Sequence, residues 1–307
     1  MTRTAIRILL YAALVGCAAP ALAQEQFKTP EEAVAALVDA ARSGDRKAIL
    51  AVLGSEGRAI VSSGDPVADK NVREEFVSAY DAKHAIEAEG NGTQTLILGE
   101  DDWPFPIPLI NNAGRWQFHT AAGRDEILRR RVGRNELSAI QVNLAYVQAQ
   151  NEYAALDPAG LGRGVYARRI VSRKGKKDGL YWPTAEDEPP SPLGELAAAA
   201  STEGYKTGTK PMPYHGYYYR ILTRQGAGAP GGAYDYIVKD KMKGGFALIA
   251  SPAEYGNSGI MTFMVNHDGK VFQKDLGPKT AKLAGRIDAF APDETWTEVP
   301  GNQGDGR

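Results

Sequence analysis

Apolar positions repeat most clearly after Arg134. In the run NELSAIQVNLAYVQAQNEYAALD, Leu137, Ile140, Leu144 and Val147 recur at steps of three, four and three, which places them on one face of a helix. No Gly or Pro interrupts the run, and Asp157-Pro158 ends it. About 22 helical residues at 1.5 Å each predict a rod of roughly 33 Å. This rod reads as a spine, with a sheet laid against it.

Shorter patterns flank the spine. Thr29-Pro30-Glu31-Glu32 has the form of a capping box with proline at the first helical position, and a helix follows to Ser43-Gly44. Asp45 caps a second helix, Arg46 to Leu53, closed by Gly54. Ser62 to Pro66 reads as a loop, and Val72, Phe76, Tyr80 and Lys83 trace a third helix that leads to His84. Gln94 to Leu98 and Arg115 to Phe118 read as strands, the second after a turn at Asn111 to Gly114. Between them, Asp101 to Pro108 carries three alternating prolines, which exclude a central strand. Beyond the spine, a short helix at Glu195 to Ser201 precedes a strand ending Tyr217-Tyr218-Tyr219-Arg220-Ile221-Leu222. Tyr217, Tyr219 and Ile221 share one face of it. Phe246 to Ala250 is a further strand. Ile260 to Val265 and Lys270 to Gln273 form a hairpin across Asp268-Gly269, and a last helix spans about Thr280 to Phe290.

The expected class is therefore α+β. N-terminal helices with a small curved antiparallel sheet (27–131) precede a long helix packed on a second antiparallel sheet (132–299), and a disordered tail spans 300–307. Composition changes this picture little. The 307 residues suffice for two domains, and 36 basic against 37 acidic side chains give no electrostatic case for nucleic acid. The single cysteine, Cys17, excludes an intramolecular disulfide and a cysteine-rich metal site.

The first residues change it more. Arg3 and Arg7 precede an apolar run from Ile6 to Gly16, too short to span a bilayer. Two processing sites follow: Ala21-Leu22-Ala23, giving a signal peptide of 1–23, and Leu14-Val15-Gly16-Cys17, which resembles a lipobox that would lipidate Cys17 after removal of 1–16. Either implies export to the periplasm or the outer face of the envelope, with any membrane attachment through a lipid anchor.

Three resemblances refine the fold. Helices followed by strands ending in Gly114-Arg115-Trp116-Gln117-Phe118 resemble the cone-shaped folds similar to nuclear transport factor 2, where a curved sheet leaves a pocket. The later half, with Gly216-Tyr217-Tyr218-Tyr219-Arg220 and Asp268-Gly269, resembles the globular part of pilins and pseudopilins. It lacks their leader, so shared shape is implied and not polymerisation. The whole chain from 27 to 299 resembles an uncharacterised family of exported bacterial proteins, domain of unknown function 2950. That resemblance rests on Thr29-Pro30-Glu31-Glu32-Ala33, Ser63-Gly64-Asp65-Pro66, Asp102-Trp103-Pro104-Phe105-Pro106, Arg134-Asn135-Glu136-Leu137, Asp178-Gly179-Leu180-Tyr181-Trp182-Pro183, Pro213-Tyr214-His215-Gly216-Tyr217 and Met261-Thr262-Phe263. It implies compartment and fold, and no activity.

Candidate chemistry is sparse. Gly256-Asn257-Ser258-Gly259 has the form of a serine-protease nucleophile loop, for which His215 and Asp235 are conceivable base and acid; the competing reading is a plain turn before a strand. His84, His119, His215 and His267 show no zinc spacing, and Asp157 is the lone carboxylate of its glycine-rich loop, so no metal or cofactor is expected. Arg134 and Glu136 form an anion site or an ion-paired cap between the halves. Trp103, Tyr181, Trp182, Tyr214, His215 and Tyr217 offer aromatic faces for an envelope glycan or a partner protein, or else fill two cores. The leading expectation is a non-enzymatic binding or assembly module of the envelope. The alternatives are a hydrolase near His215 and Ser258, and a small-ligand carrier using a pocket in 27–131.

Overall fold

The computed structural model describes residues 24–90, 92–206 and 211–300. The export segment, Cys17 and residues 301–307 of the expected tail lie outside the described residues.

Helix α1 (Pro30–Ser43) starts at the box the sequence announces. Thr29 Oγ1 accepts the Glu32 amide, and Glu32 reaches back to the Lys28 amide at 2.9 Å. Helix α2 (Arg46–Leu53) is capped by Asp45. A 3₁₀ turn and α3 (Arg58–Val61) lead to α4 (Pro66–Ala82), whose N-cap is Asp65. Strands β1 (His84–Ala88), β2 (Thr93–Leu98), β3 (Trp103–Pro104), β4 (Leu109–Asn112) and β5 (Arg115–Phe118) form one antiparallel sheet ordered β1-β2-β4-β5, with β3 paired to β2. His84 therefore opens a strand and does not sit on a helix. Lys83 is already extended, and the exposed His84 ring stacks on Tyr80 at 3.7 Å. Val34, Leu37, Ile49, Leu53, Leu96, Leu109 and Phe118 close the first core.

The spine differs most from expectation. Helix α5 runs from Thr120 to Leu156, 37 residues, or about 55 Å. It begins well before Arg134, so the boundary drawn at 131/132 falls inside one helix. The segment TAAGRDEILRRRVG hides this start behind two glycines and a charge run with no apolar period. Tertiary and local contacts supply what periodicity does not. Gly123 lies against the Pro106 carbonyl, where a Cβ would approach to 2.3 Å; Glu126 pairs with Arg129 and Arg130; Arg131 donates to the carbonyls of Ala59 and Ile60. The buried face also differs. Asn135, Ala139, Asn143, Tyr146, Gln150 and Tyr153 turn inward, while Leu137 is 68% exposed and Ile140, Leu144 and Val147 pack on the flank. Hydrogen bonding decides the rotation. The Gln150 amide accepts from Ala167 N and donates to Ala167 O, both at 2.8 Å, and Tyr146 donates to Ala247 O.

After α6 (Gly194–Thr202) come β6 (Tyr217–Leu222) and two small ladders, β7 (Arg224–Gln225) with β8 (Tyr234–Asp235) and β9 (Ile237–Val238) with β10 (Lys241–Met242). Strands β11 (Ala247–Pro252), β12 (Met261–Asn266) and β13 (Val271–Asp275) then form a meander. It is closed by β14 (Thr297–Glu298), in the antiparallel order β14-β13-β12-β11-β6. Helix α7 (Thr280–Ala284) stops short of the expected Phe290, because Gly285 follows it and Arg220 captures the carbonyls of Ala284 and Ile287. Helix α5 packs across β11, β12 and β13 over the second core of Tyr146, Tyr217, Phe246, Leu248, Phe263 and Phe290. Two cores served by an antiparallel sheet each make the molecule α+β.

Candidate functional site

A cavity of about 790 Å³ lies beneath α4. Its walls are Leu37, Ile49, Leu53, Phe76, Leu98 and Phe105, and Trp103, 41% exposed, stands at its rim. Phe105 meets Phe76, Trp103 and Phe118 in tilted or edge-on contacts, so the aromatic wall is continuous with the first core. No residue of α4 is buried, although Val72, Phe76 and Ala79 face the cavity. The helix meets the core through Phe76, Ala79 and Tyr80, each half-buried, and roofs the remaining space.

The far end of the cavity is polar and comes from three distant segments: Arg131, Arg134 and Asn135 of α5; Glu203 and Tyr205 just after α6; and His215 before β6. His215 and Gly216 occupy the corner between Tyr214 and Tyr217, which exchange backbone hydrogen bonds of 2.9 and 3.1 Å. Both corner residues have positive φ, 48° and 76°, as a two-residue type I′ hairpin turn requires. The His215 ring stacks on Tyr214, with centroids 4.1 Å apart. Its Nδ1 lies 2.5 Å from Ser138 Oγ and its Nε2 2.5 Å from a Glu203 carboxylate oxygen.

Asp65 holds this corner to α4. One carboxylate oxygen accepts the Val67 and Ala68 amides; the other accepts the Gly216 amide and the Tyr205 hydroxyl, both at 2.9 Å. Burial and the nearby Asp65 charge push the Tyr205 hydroxyl up, so it stays a donor. Burial, then the Glu203 charge, push Tyr214 to about 12. Asp69 also lies above the usual carboxylate range, because burial outweighs the Ser63 hydrogen bonds and the Arg131 charge. Burial pushes the Arg131 guanidinium down, and its hydrogen bonds go to protein carbonyls and to Asn257. Arg134 makes no hydrogen bond or ion pair among the described residues.

Over residues 24–299 the chain matches the family described as Protein of unknown function (DUF2950). It belongs to that family. No curated protein and no solved structure matches it.

In this DUF2950 chain the sequence candidates scatter. Ser258 is fully buried, and its hydroxyl accepts the Glu254 amide and donates to the Glu254 carbonyl. Asp235 sits exposed on β8, in the ladder with Arg224, away from His215. The expected Ser258–His215–Asp235 triad is not assembled, because the Gly256–Gly259 turn folds onto its own backbone. Glu136 forms no ion pair among the described residues; it accepts the amides of Ile260 and Met261, each at 2.9 Å. Tyr217 (0% exposed) and Trp182 are core residues, and Tyr181, half-buried, pairs through its backbone with Val171, so these rings do not line one surface groove. Trp103 and His215 both line the cavity, and Tyr214 does not. Ser138, Glu203 and Tyr205 were not among the candidates. Ser138 lies 77 residues from His215 and Glu203 lies 12 away, with no spacing rule to join them. The one available signal was His215-Gly216 as a tight corner between two tyrosines.

Proposed function

We propose that this chain is an exported envelope protein that binds a small, largely apolar ligand in the cavity beneath α4. The cavity carries this reading: its volume lies within the range of ligand sites, its walls are mostly aliphatic and aromatic, and a polar cluster of Arg134, Asn135, Glu203, Tyr205 and His215 forms part of its lining. Export is supported by the Arg3–Ala23 pattern, and attachment through Cys17 belongs to the same proposal. Helices set over a sheet with a pocket between them support the likeness to nuclear transport factor 2-like cones, and α5 across the second sheet supports the likeness to pilin heads. A carrier or sensor of an apolar molecule is favoured over a glycan module, because Trp182 and Tyr217 are buried.

The test is titration of the purified protein with a fluorescent fatty-acid probe. Saturable one-to-one binding is expected, and it should disappear in Ala79→Trp, which fills the space beneath α4 at the margin of the first core, with a thermal melt to verify that the variant folds. Wild-type protein that folds but shows no saturable uptake would sink the reading.

A further inference from the structure

We propose that Ser138, His215 and Glu203 form a nucleophile–base–carboxylate relay that cleaves an ester whose acyl chain occupies the cavity. The inference rests on the ligand-binding reading for its acyl pocket and adds a reaction at the polar end.

The protonation pattern follows from the geometry. A carboxylate only accepts, so Glu203 holds the ring proton of neutral His215 on Nε2. That leaves Nδ1 as an acceptor, aimed at the Ser138 hydroxyl. The logic is that of a serine triad with the two ring nitrogens exchanged. The groups are reachable: the His215 side chain is 28% exposed and Glu203 38%. His215 is also held in a left-handed backbone conformation that its turn and the Asp65–Gly216 hydrogen bond impose, and strain of this kind collects at functional sites. Arg134 completes the set. It sits one helical turn before Ser138, on the same side of α5, lines the cavity with His215 and Glu203, and its side chain has no hydrogen-bond or ion-pair partner among the described residues. Its guanidinium is the group placed to stabilise a developing oxyanion.

In the first step Ser138 Oγ bonds to the ester carbonyl carbon and its proton passes to His215 Nδ1. The carbonyl oxygen takes the negative charge and Glu203 stabilises the imidazolium. The carbon–alkoxy bond then breaks, and the alcohol leaves with the His215 proton. Water attacks the acyl-serine in the same way. It gives its proton to His215, releases the carboxylic acid and restores the serine hydroxyl. One ester and one water become one acid and one alcohol. Ser138 and His215 are the catalytic residues, and Glu203 is a positioning residue.

The experiment combines a fluorophosphonate probe, located by peptide mass spectrometry, with hydrolysis of p-nitrophenyl esters of increasing acyl length. Wild-type protein should be labelled at Ser138 and should cleave the esters. Ser138→Ala should abolish both while still binding the fatty-acid probe. His215→Asn, chosen because Asn tolerates positive φ, should lower kcat by about 10²–10⁴-fold. Glu203→Gln should lower kcat with KM nearly unchanged, a split that a merely structural role would not produce. Thermal melts verify that each variant folds. Probe binding by a wild-type protein with neither Ser138 labelling nor ester cleavage overturns the relay and leaves the ligand-binding reading standing. Failure of both binding and labelling overturns the two together.

Discussion

Gly216 admits no side chain. Its φ is 76°, and a Cβ there would lie 2.5 Å from Asn135 Nδ2 and 3.0 Å from Ser258 Cβ. Gly216→Ala should destabilise the protein by about 2–4 kcal/mol, from left-handed strain plus displacement of the Asn135 hydrogen bond to Ser258 O. Urea unfolding measures this, and a loss below about 0.5 kcal/mol would show that the corner relaxes freely. Asp69 makes a second prediction. Its carboxyl is raised in the folded chain, so between the unfolded value of about 3.9 and the higher folded value the folded state holds the extra proton. Stability through that window should therefore fall as pH rises. Asp69→Asn should flatten this limb of the melting temperature measured between roughly pH 4 and pH 6. At this scale the sequence was informative about caps: Thr29 and Asp45 cap as their spacing predicts. It was silent about Asp65 as the anchor of the His215 corner, since that needs Gly216 151 residues away.

Among elements, α4 and α5 stand at opposite extremes. Helix α4 has no fully buried residue and roofs a cavity, so its amides should exchange with solvent faster than those of α1. Ligand should slow α4 selectively, as hydrogen-exchange mass spectrometry would register; protection equal to that of α1 without ligand would contradict the roof description. Helix α5 carries Gly133 exposed on its surface, with nothing within 4 Å of a built Cβ. Gly133→Ala should stabilise by about 0.5–1 kcal/mol, read from the urea midpoint. Most elements were legible from capping signals and period-two alternation. The first turns of α5 and its true inner face were not. The helix is buried through Asn, Gln, Tyr and Ala, residues that a search for apolar periodicity passes over, while the face of Leu137, Ile140, Leu144 and Val147 lies on the flank, with Leu137 exposed.

At the scale of the whole molecule, the class, the two cores and the family were legible, because long apolar strands and specific phrases carry them. The cavity was legible only as something a cone-shaped fold would contain. Both cores rest on one helix, and Asn257 adds links from the second half to Ser62 O and Arg131. The two halves should therefore unfold together. Calorimetry should give a single endotherm with matching calorimetric and van't Hoff enthalpies, and two resolved transitions would show that the halves melt independently.

The polar inner face of α5 has a mechanical consequence. A rod seated only on leucines could slip along its bed by one turn, about 5.4 Å, and still find grease. This one is keyed. Asn135, Tyr146, Gln150 and Tyr153 each fit one backbone partner, at Ser258, Ala247, Ala167 and Lys177, and a slip would break all four engagements together. The teeth of that key fix where Arg134 stands at the cavity and where Ser138 meets His215, so the placement of both side chains is set by hydrogen bonds strung along the length of the shaft.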